Sequence, residues 1–109
     1  MQGENSEVDE IEMELLAKLH DENSSKIEAL WSLAAYYKHF QQYDKALPRF
    51  EQLIALAPDD EQKAEFQLSM GCVFEGMENY ESAVKCYKTG IALKPKDAET
   101  WYLLHNNLG

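Results

Sequence analysis

The chain of 109 residues is long enough for one small domain with a single hydrophobic core, and its 20 acidic and 10 basic residues give a net charge of −10. No cluster of Lys and Arg is available to neutralise phosphates, which argues against a nucleic-acid partner. No apolar run is long enough to span a membrane, and the first residues lack the hydrophobic stretch of a signal peptide, so we expect a cytoplasmic protein without a membrane partner.

The N-terminal segment is strongly acidic, since six acids and no Lys or Arg lie in the first 14 residues. We predict an acidic disordered terminus over residues 1–7 and a helix over residues 8–21. Acids in this segment suit a basic partner. The alternative, that they only keep a frayed end in solution, stays open.

Residues 27–60 are predicted to form two amphipathic helices, because apolar residues recur there at three- and four-residue steps. The inner faces comprise Leu30, Leu33, Ala34 and Tyr37 in the first helix and Ala46, Phe50, Leu53 and Ile54 in the second. Ser25 and Glu28 have the spacing of a capping box. Pro48 lies near the start of the second helix, where we expect it to cost at most one hydrogen bond and a mild bend.

The same pattern returns 37 residues later. The matched pairs are Leu33-Ala34 with Met70-Gly71, Tyr37 with Phe74, Tyr43 with Tyr80, Ala46 with Ala83, Phe50 with Tyr87, Leu56 with Leu93 and Pro58 with Pro95. This periodicity predicts a second helical pair over residues 64–97. Residues 8–21 match the second helix of a unit, so we interpret them as a half repeat, and residues 98–109 begin a truncated one.

The two units resemble the tetratricopeptide repeat, in which an aromatic residue, Leu, Gly, Tyr, Ala, an aromatic residue and Pro follow in order. The residues at these places are Leu30, Leu33, Ala34, Tyr37, Ala46, Phe50 and Pro58, then Gln67, Met70, Gly71, Phe74, Ala83, Tyr87 and Pro95. The resemblance implies an all-α superhelix of stacked antiparallel helix pairs, with about six helices. Because the family unit has 34 residues, Glu61, Gln62 and Lys63 are expected to add a turn to the following helix.

In this family the first helices of successive units line a concave groove, so the resemblance implies a peptide-binding surface here. Its residues are Glu28, Trp31, Ser32, Ala35, Lys38 and His39, then Glu65, Leu68, Ser69, Cys72 and Glu75, and finally Leu103, Asn106 and Asn107. Trp31 is the expected anchor, since truncating an aromatic anchor in a pocket costs roughly 2 kcal/mol or more. The alternative for Trp31 is packing against the N-terminal helix.

Two functions stay open. The first is an interaction module that binds an apolar peptide or helix, with or without basic side chains, in the groove. The second is a structural scaffold or self-association segment with no separate ligand, including a homodimer through the unfinished C-terminal helix, where Trp101, Leu104 and Leu108 would lack a covering helix. Binding of chaperone tails is not expected, because Trp31, Ala35 and Ser69 stand where relatives use cationic and amide side chains to grip a carboxylate.

Nothing in the sequence indicates an enzyme or a bound cofactor, since no phosphate-binding loop, zinc-protease motif or nucleophile motif is present. His39, Cys72 and Glu75 on adjacent first helices are a weak metal candidate, because structural zinc needs four ligands and a fourth is missing. We therefore expect no metal. Cys72 and Cys86 are expected to fill small buried spaces.

Overall fold

The computed structural model describes residues 2–21 and 25–108, with side chains from Glu10 onward. This part of the chain forms six helices and no strand. The helices are α1 (Gln2–Leu19), α2 (Lys26–His39), α3 (Tyr43–Leu56), α4 (Asp60–Gly76), α5 (Tyr80–Ala92) and α6 (Ala98–Leu108). Each helix packs on its neighbours in sequence, and α6 also contacts α4. The all-α architecture of stacked helix pairs is therefore confirmed.

The first helix begins earlier than the sequence suggested. It starts at Gln2 rather than at residue 8, so α1 includes residues 2–7. Glu is a good helix former, and acidic residues near a helix N-terminus interact favourably with the helix dipole. Both effects favour an extension of α1 through the acidic segment. Met1, Gly109 and residues 22–24 lie outside the described residues.

Short polar side chains begin four of the helices. The side-chain oxygens of Ser25, Asp59, Asn79 and Asp97 each accept a hydrogen bond from the backbone amide three residues later, at 2.9–3.4 Å. These bonds satisfy amides that have no partner inside the helix. At Asp97 the amide and the hydroxyl of Thr100 both donate to the carboxylate, and they hold its pKa below the usual value.

The turn between the two helices of each unit has the same geometry in both units. Gln41 and Glu78, 37 residues apart, have φ angles of 60° and 61°. The next amide then donates back to the helix, from Gln42 to Tyr37 and from Asn79 to Phe74, both at 2.8 Å. This left-handed residue with a bond spanning five residues is a Schellman motif. The period found in the sequence is therefore also a period of the backbone.

The hydrophobic core lies between the stacked pairs and contains the aromatic residues that the repeat predicted. Phe50 and Tyr87 are 1% exposed and Tyr37 is 3% exposed, while Phe74 is partly buried. Gly71 is needed beneath Tyr87, because a Cβ at Gly71 would overlap the Tyr87 ring. A small residue at position 71 therefore allows the close approach of α4 and α5.

The last helix is better covered than expected. Leu104, which was expected to lack a covering helix, is fully buried between α4 and α5. Gly90 makes the room, since a Cβ there would lie 2.8 Å from Leu104 Cδ2. The expectation for Leu104 was therefore wrong, because the sequence showed which residues are apolar but not which face of α6 meets α5.

Two local expectations about helices hold. Helix α4 has 17 residues against 14 in α2, so the three extra residues of the period do lengthen it. Pro48 lies inside α3, which continues through it from Tyr43 to Leu56. The extra turn has a second role that the sequence did not indicate. The Glu61 carboxylate accepts bonds from the amides of Lys96 at 2.7 Å and Asp97 at 2.9 Å, and so ties α4 to the loop before α6.

Candidate functional site

An open cavity of about 460 Å³ lies between α2, α4 and α6. Its lining residues are Ile27, Glu28 and Trp31 from α2, Gln62, Glu65, Phe66, Leu68 and Ser69 from α4, and Glu99, Thr100 and Leu103 from α6. A smaller cavity of about 290 Å³ lies on the other side of Trp31. It is lined by Trp31, Ala35, Lys38, His39, Phe50 and Ser69. We call the two cavities together the concave groove.

Nine of the residues suggested from the sequence line the concave groove. They are Glu28, Trp31, Ala35, Lys38, His39, Glu65, Leu68, Ser69 and Leu103. Five others line neither cavity. Ser32 and Asn106 are exposed elsewhere. Cys72 and Glu75 contact Tyr87 near the end of α4, and Asn107 contacts Cys72.

Trp31 divides the two cavities and is 41% exposed. Its indole meets Phe50 of α3 in a T-shaped contact at 6.1 Å between ring centroids. The other neighbour is Phe66 of α4, at 5.6 Å. These aromatic neighbours come from the following helices, not from α1, with which the alternative reading had paired Trp31. The Trp31 ring therefore packs on two aromatic side chains of the protein, while much of its surface remains exposed to solvent.

The cluster around Tyr87 has a structural role. The Tyr87 hydroxyl donates to Glu75 Oε1 at 2.7 Å and lies 3.7 Å from Cys72 Sγ. The Asn107 amide contacts the same sulfur at 3.9 Å. Burial and the bond to Glu75 raise the pKa of the Tyr87 phenol well above its usual value. Glu75, Cys72 and Asn107 are thus engaged in holding α4, α5 and α6 together.

The larger cavity is acidic. Glu28, Glu65 and Glu99 line it, and no Lys, Arg or His does so among the described residues. Although Glu65 is an exposed residue, partial burial of its carboxyl raises its pKa, and the nearby Asp97, Glu61 and Asp59 raise it further. The amide oxygen of Gln62 is buried beside this cavity and has no hydrogen-bond partner among the described residues. This cavity therefore offers acceptors and negative charge.

Sequence reasoning missed part of the wall that α6 contributes. It placed the end of the groove at Leu103, Asn106 and Asn107, whereas Glu99 and Thr100 line the cavity one turn earlier. The spacing of Asp97 and Thr100, which is that of a cap, marks the start of α6 and is the signal that locates this turn.

The metal candidate suggested by the sequence is not assembled in the described residues. Within residues 2–21 and 25–108 no three His, Cys, Asp or Glu side chains are placed to hold a metal ion, so the weak candidate of His39, Cys72 and Glu75 does not form a site. Burial raises the pKa of the Cys86 thiol to about 11, which leaves it protonated and unreactive at neutral pH. None of the described helices has the length and apolar character needed to cross a membrane.

Comparison with known protein families agrees with the fold. A family model of the tetratricopeptide repeat matches residues 25–96, which include α2 to α5. Searches of curated proteins and of solved structures found no match. Tetratricopeptide repeats are generally protein–protein interaction modules and typically not enzymes. With two thirds of its length matched and its two helical pairs repeating the same turn, this chain belongs to the tetratricopeptide repeat family.

Proposed function

We propose that the chain is an interaction module whose concave groove binds a peptide or helix with apolar and basic side chains. The observation that carries this proposal is the setting of Trp31, which stands 41% exposed between two cavities and rests on Phe50 and Phe66. A supported but uncovered aromatic residue loses little conformational entropy when a partner covers it. Such residues are frequent hot spots of protein interfaces.

Charge supports a basic segment at one end of the groove. Glu28, Glu65 and Glu99 surround the larger cavity, and the raised pKa of Glu65 reflects partial burial next to other acids. A Lys or Arg side chain placed there relieves the repulsion among these carboxylates. Lys38 and His39 line the smaller cavity on the other side of Trp31. The two ends of the groove therefore differ in charge.

The test uses two labelled amphipathic peptides of roughly 15 residues, one built from Leu and Lys and the other from Leu and Glu. Fluorescence anisotropy of the label measures binding to the whole chain. We expect the Leu/Lys peptide to bind and the Leu/Glu peptide to bind far more weakly. Trp31→Ala is expected to weaken binding of the Leu/Lys peptide roughly 30-fold, which corresponds to about 2 kcal/mol.

The matched control is Trp101→Ala, which removes an equally exposed Trp (44%) from the outside of α6. It should leave peptide binding unchanged. Circular dichroism and urea unfolding of both variants separate binding from folding, because a large fall in the unfolding midpoint of Trp31→Ala would identify Trp31 as a core residue. Equal binding of the two peptides, or an equal effect of the two Trp variants, would contradict the proposal.

A structural role without a separate ligand is the second candidate. It is supported by the exposure of Trp101 and Tyr102 on α6, at 44% and 63%. Aromatic side chains of this size are seldom left uncovered together unless they contact a partner. Failure of both peptides to bind, together with self-association of the chain, would favour this candidate.

A further inference from the structure

The outer face of α6 is aromatic. Ala98, Trp101, Tyr102 and His105 recur at three- and four-residue steps and are all exposed, opposite the buried Thr100 and Leu104. Trp101 and His105 stack edge to face at 4.0 Å between ring centroids. This face points away from α4 and α5, on which α6 packs.

A patch of positive charge adjoins this aromatic face. Lys94 and Lys96 line a depression of about 520 Å³ together with Pro95, Ala98 and Trp101. Neither lysine belongs to an ion pair within the described residues. The stretch 85–96 holds four lysines and no acid, in a chain whose net charge is −10. We call this patch and the outer face of α6 together the basic aromatic surface.

The opposite end of the stack has the complementary character. Helix α1 contains six acids and one lysine. Its inner side includes the buried Leu19, while Glu10, Met13, Glu14 and Ala17 lie together on its outer side and are exposed, Met13 at 69%. We call these four residues the acidic α1 surface. It combines negative charge with an uncovered apolar side chain.

We propose that the acidic α1 surface of one copy docks on the basic aromatic surface of a second copy, so that the chains associate head to tail. The two surfaces lie on the first and last helices and differ in sign, so each copy carries both halves of the contact. A symmetric contact between two α6 helices is disfavoured, because it brings Lys94 and Lys96 of both copies together. A head-to-tail contact leaves one surface of each sort free and allows longer assemblies.

The proposal goes beyond groove binding, because neither surface includes Trp31. Charge attraction between the two surfaces sets the specificity and the rate of encounter, while Met13, Trp101 and Tyr102 supply apolar area. The association should therefore weaken in salt, since exposed charges are screened at about 500 mM.

The experiment is sedimentation velocity of the whole chain from roughly 1 to 200 µM in low salt. We expect the mean mass to rise with concentration. The double variant Lys94→Glu/Lys96→Glu should weaken association about tenfold or more, and so should Glu10→Lys/Glu14→Lys. Mixing the two variants should restore association, because the acidic α1 surface of the Lys94→Glu/Lys96→Glu chain meets the unchanged basic aromatic surface of the other chain, and the two reversed surfaces also carry opposite charges.

Controls separate this arrangement from others. Lys85→Glu/Lys88→Glu removes the same charge from α5 outside the depression, and it should leave the association unchanged. A chain that stays monomeric at every concentration overturns the proposal, as does association that is indifferent to the charge reversals. Association that stops at dimers and is unchanged in Glu10→Lys/Glu14→Lys would instead identify a symmetric α6 contact.

Discussion

At the scale of single residues, Glu65 shows a conflict between stability and binding. Its carboxylate lies partly buried beside Asp97, Glu61 and Asp59, all of which are acidic and raise its pKa. A group whose carboxyl pKa is raised on folding opposes folding when it is ionised. The Glu65 carboxylate also lines the cavity that we propose for a basic partner. A bound Lys or Arg side chain would therefore offset the destabilisation that ionised Glu65 causes.

Glu65→Gln is expected to stabilise the chain at neutral pH and to weaken binding of the Leu/Lys peptide. The sign follows from linkage: a raised carboxyl pKa favours the folded state below the unfolded pKa of about 4.3, and this advantage is lost as pH rises through the folded pKa. The gain in the urea midpoint should therefore vanish below about pH 4, where Glu65 is protonated in both states. Glu51→Gln, on exposed α3 surface, is the control for removal of one charge.

Gly71 is the residue at which packing leaves least room. Gly71→Ala is expected to destabilise the chain by about 1–3 kcal/mol, because its Cβ would overlap the Tyr87 ring and Tyr87 is itself fully buried. Urea unfolding measures the effect, and Ser32→Ala on the exposed side of α2 provides the comparison. A variant as stable as the parent would mean that Tyr87 has freedom to move that its 1% exposure does not indicate.

At the scale of helices, specific side-chain bonds dock the outer helices onto the two full units. The Tyr37 hydroxyl of α2 donates to Glu12 of α1 at 2.7 Å, and Lys45 lies 3.8 Å from the same carboxylate. Burial and the bond to Glu12 raise the pKa of Tyr37 to about 12, so this donor stays protonated at physiological pH. At the other end, Glu61 holds the loop before α6 through the amides of Lys96 and Asp97.

Glu61→Ala is expected to loosen α6 and the loop before it. Loss of two bonds to a carboxylate should cost about 1–2 kcal/mol, and hydrogen exchange should speed up in residues 94–108 more than in α2 and α3. Glu51→Ala removes an exposed acid without such bonds and should leave these rates unchanged. Uniform acceleration across all helices would show instead that α6 unfolds only together with the whole chain.

At the scale of the whole molecule, charge opposes folding. The net charge of −10 is spread over a structure with extents of 42 × 34 × 19 Å, in which Lys45 and Glu12 form an ion pair. Repulsion among like charges raises the free energy of the compact state more than that of the extended chain. The acids thus limit stability while they shape the groove and the outer side of α1.

Raising NaCl from about 10 to 500 mM is therefore expected to increase the urea midpoint, because screening shortens the range of this repulsion. The measurement belongs at low micromolar protein, where association contributes little. At pH 4.6, near the isoelectric point of the sequence, the same salt change should have a much smaller effect. A midpoint that falls with salt at neutral pH would mean that attractive ion pairs outweigh the repulsion.

Much of this fold can be predicted from the sequence, because its signals are local. The spacing of Tyr37, Phe50 and Tyr87 predicted which residues are buried, and the period of 37 predicted both full units and the longer α4. Helix periodicity, caps and small residues act over a few residues or between adjacent helices. Because short loops join the helices, each helix packs on the next one in the chain, and few alternative stacking arrangements are available.

Tertiary structure alone decided which side chains from other helices each residue contacts. It placed Phe50 and Phe66 behind Trp31, turned Leu104 inward over Gly90, and assigned Glu61 to hold the loop before α6. A sequence pattern gives the face of a helix on which a residue lies, whereas the neighbour it meets depends on the angle and register of packing between helices distant in sequence. Those depend on the combined shape of many side chains, which no single segment contains.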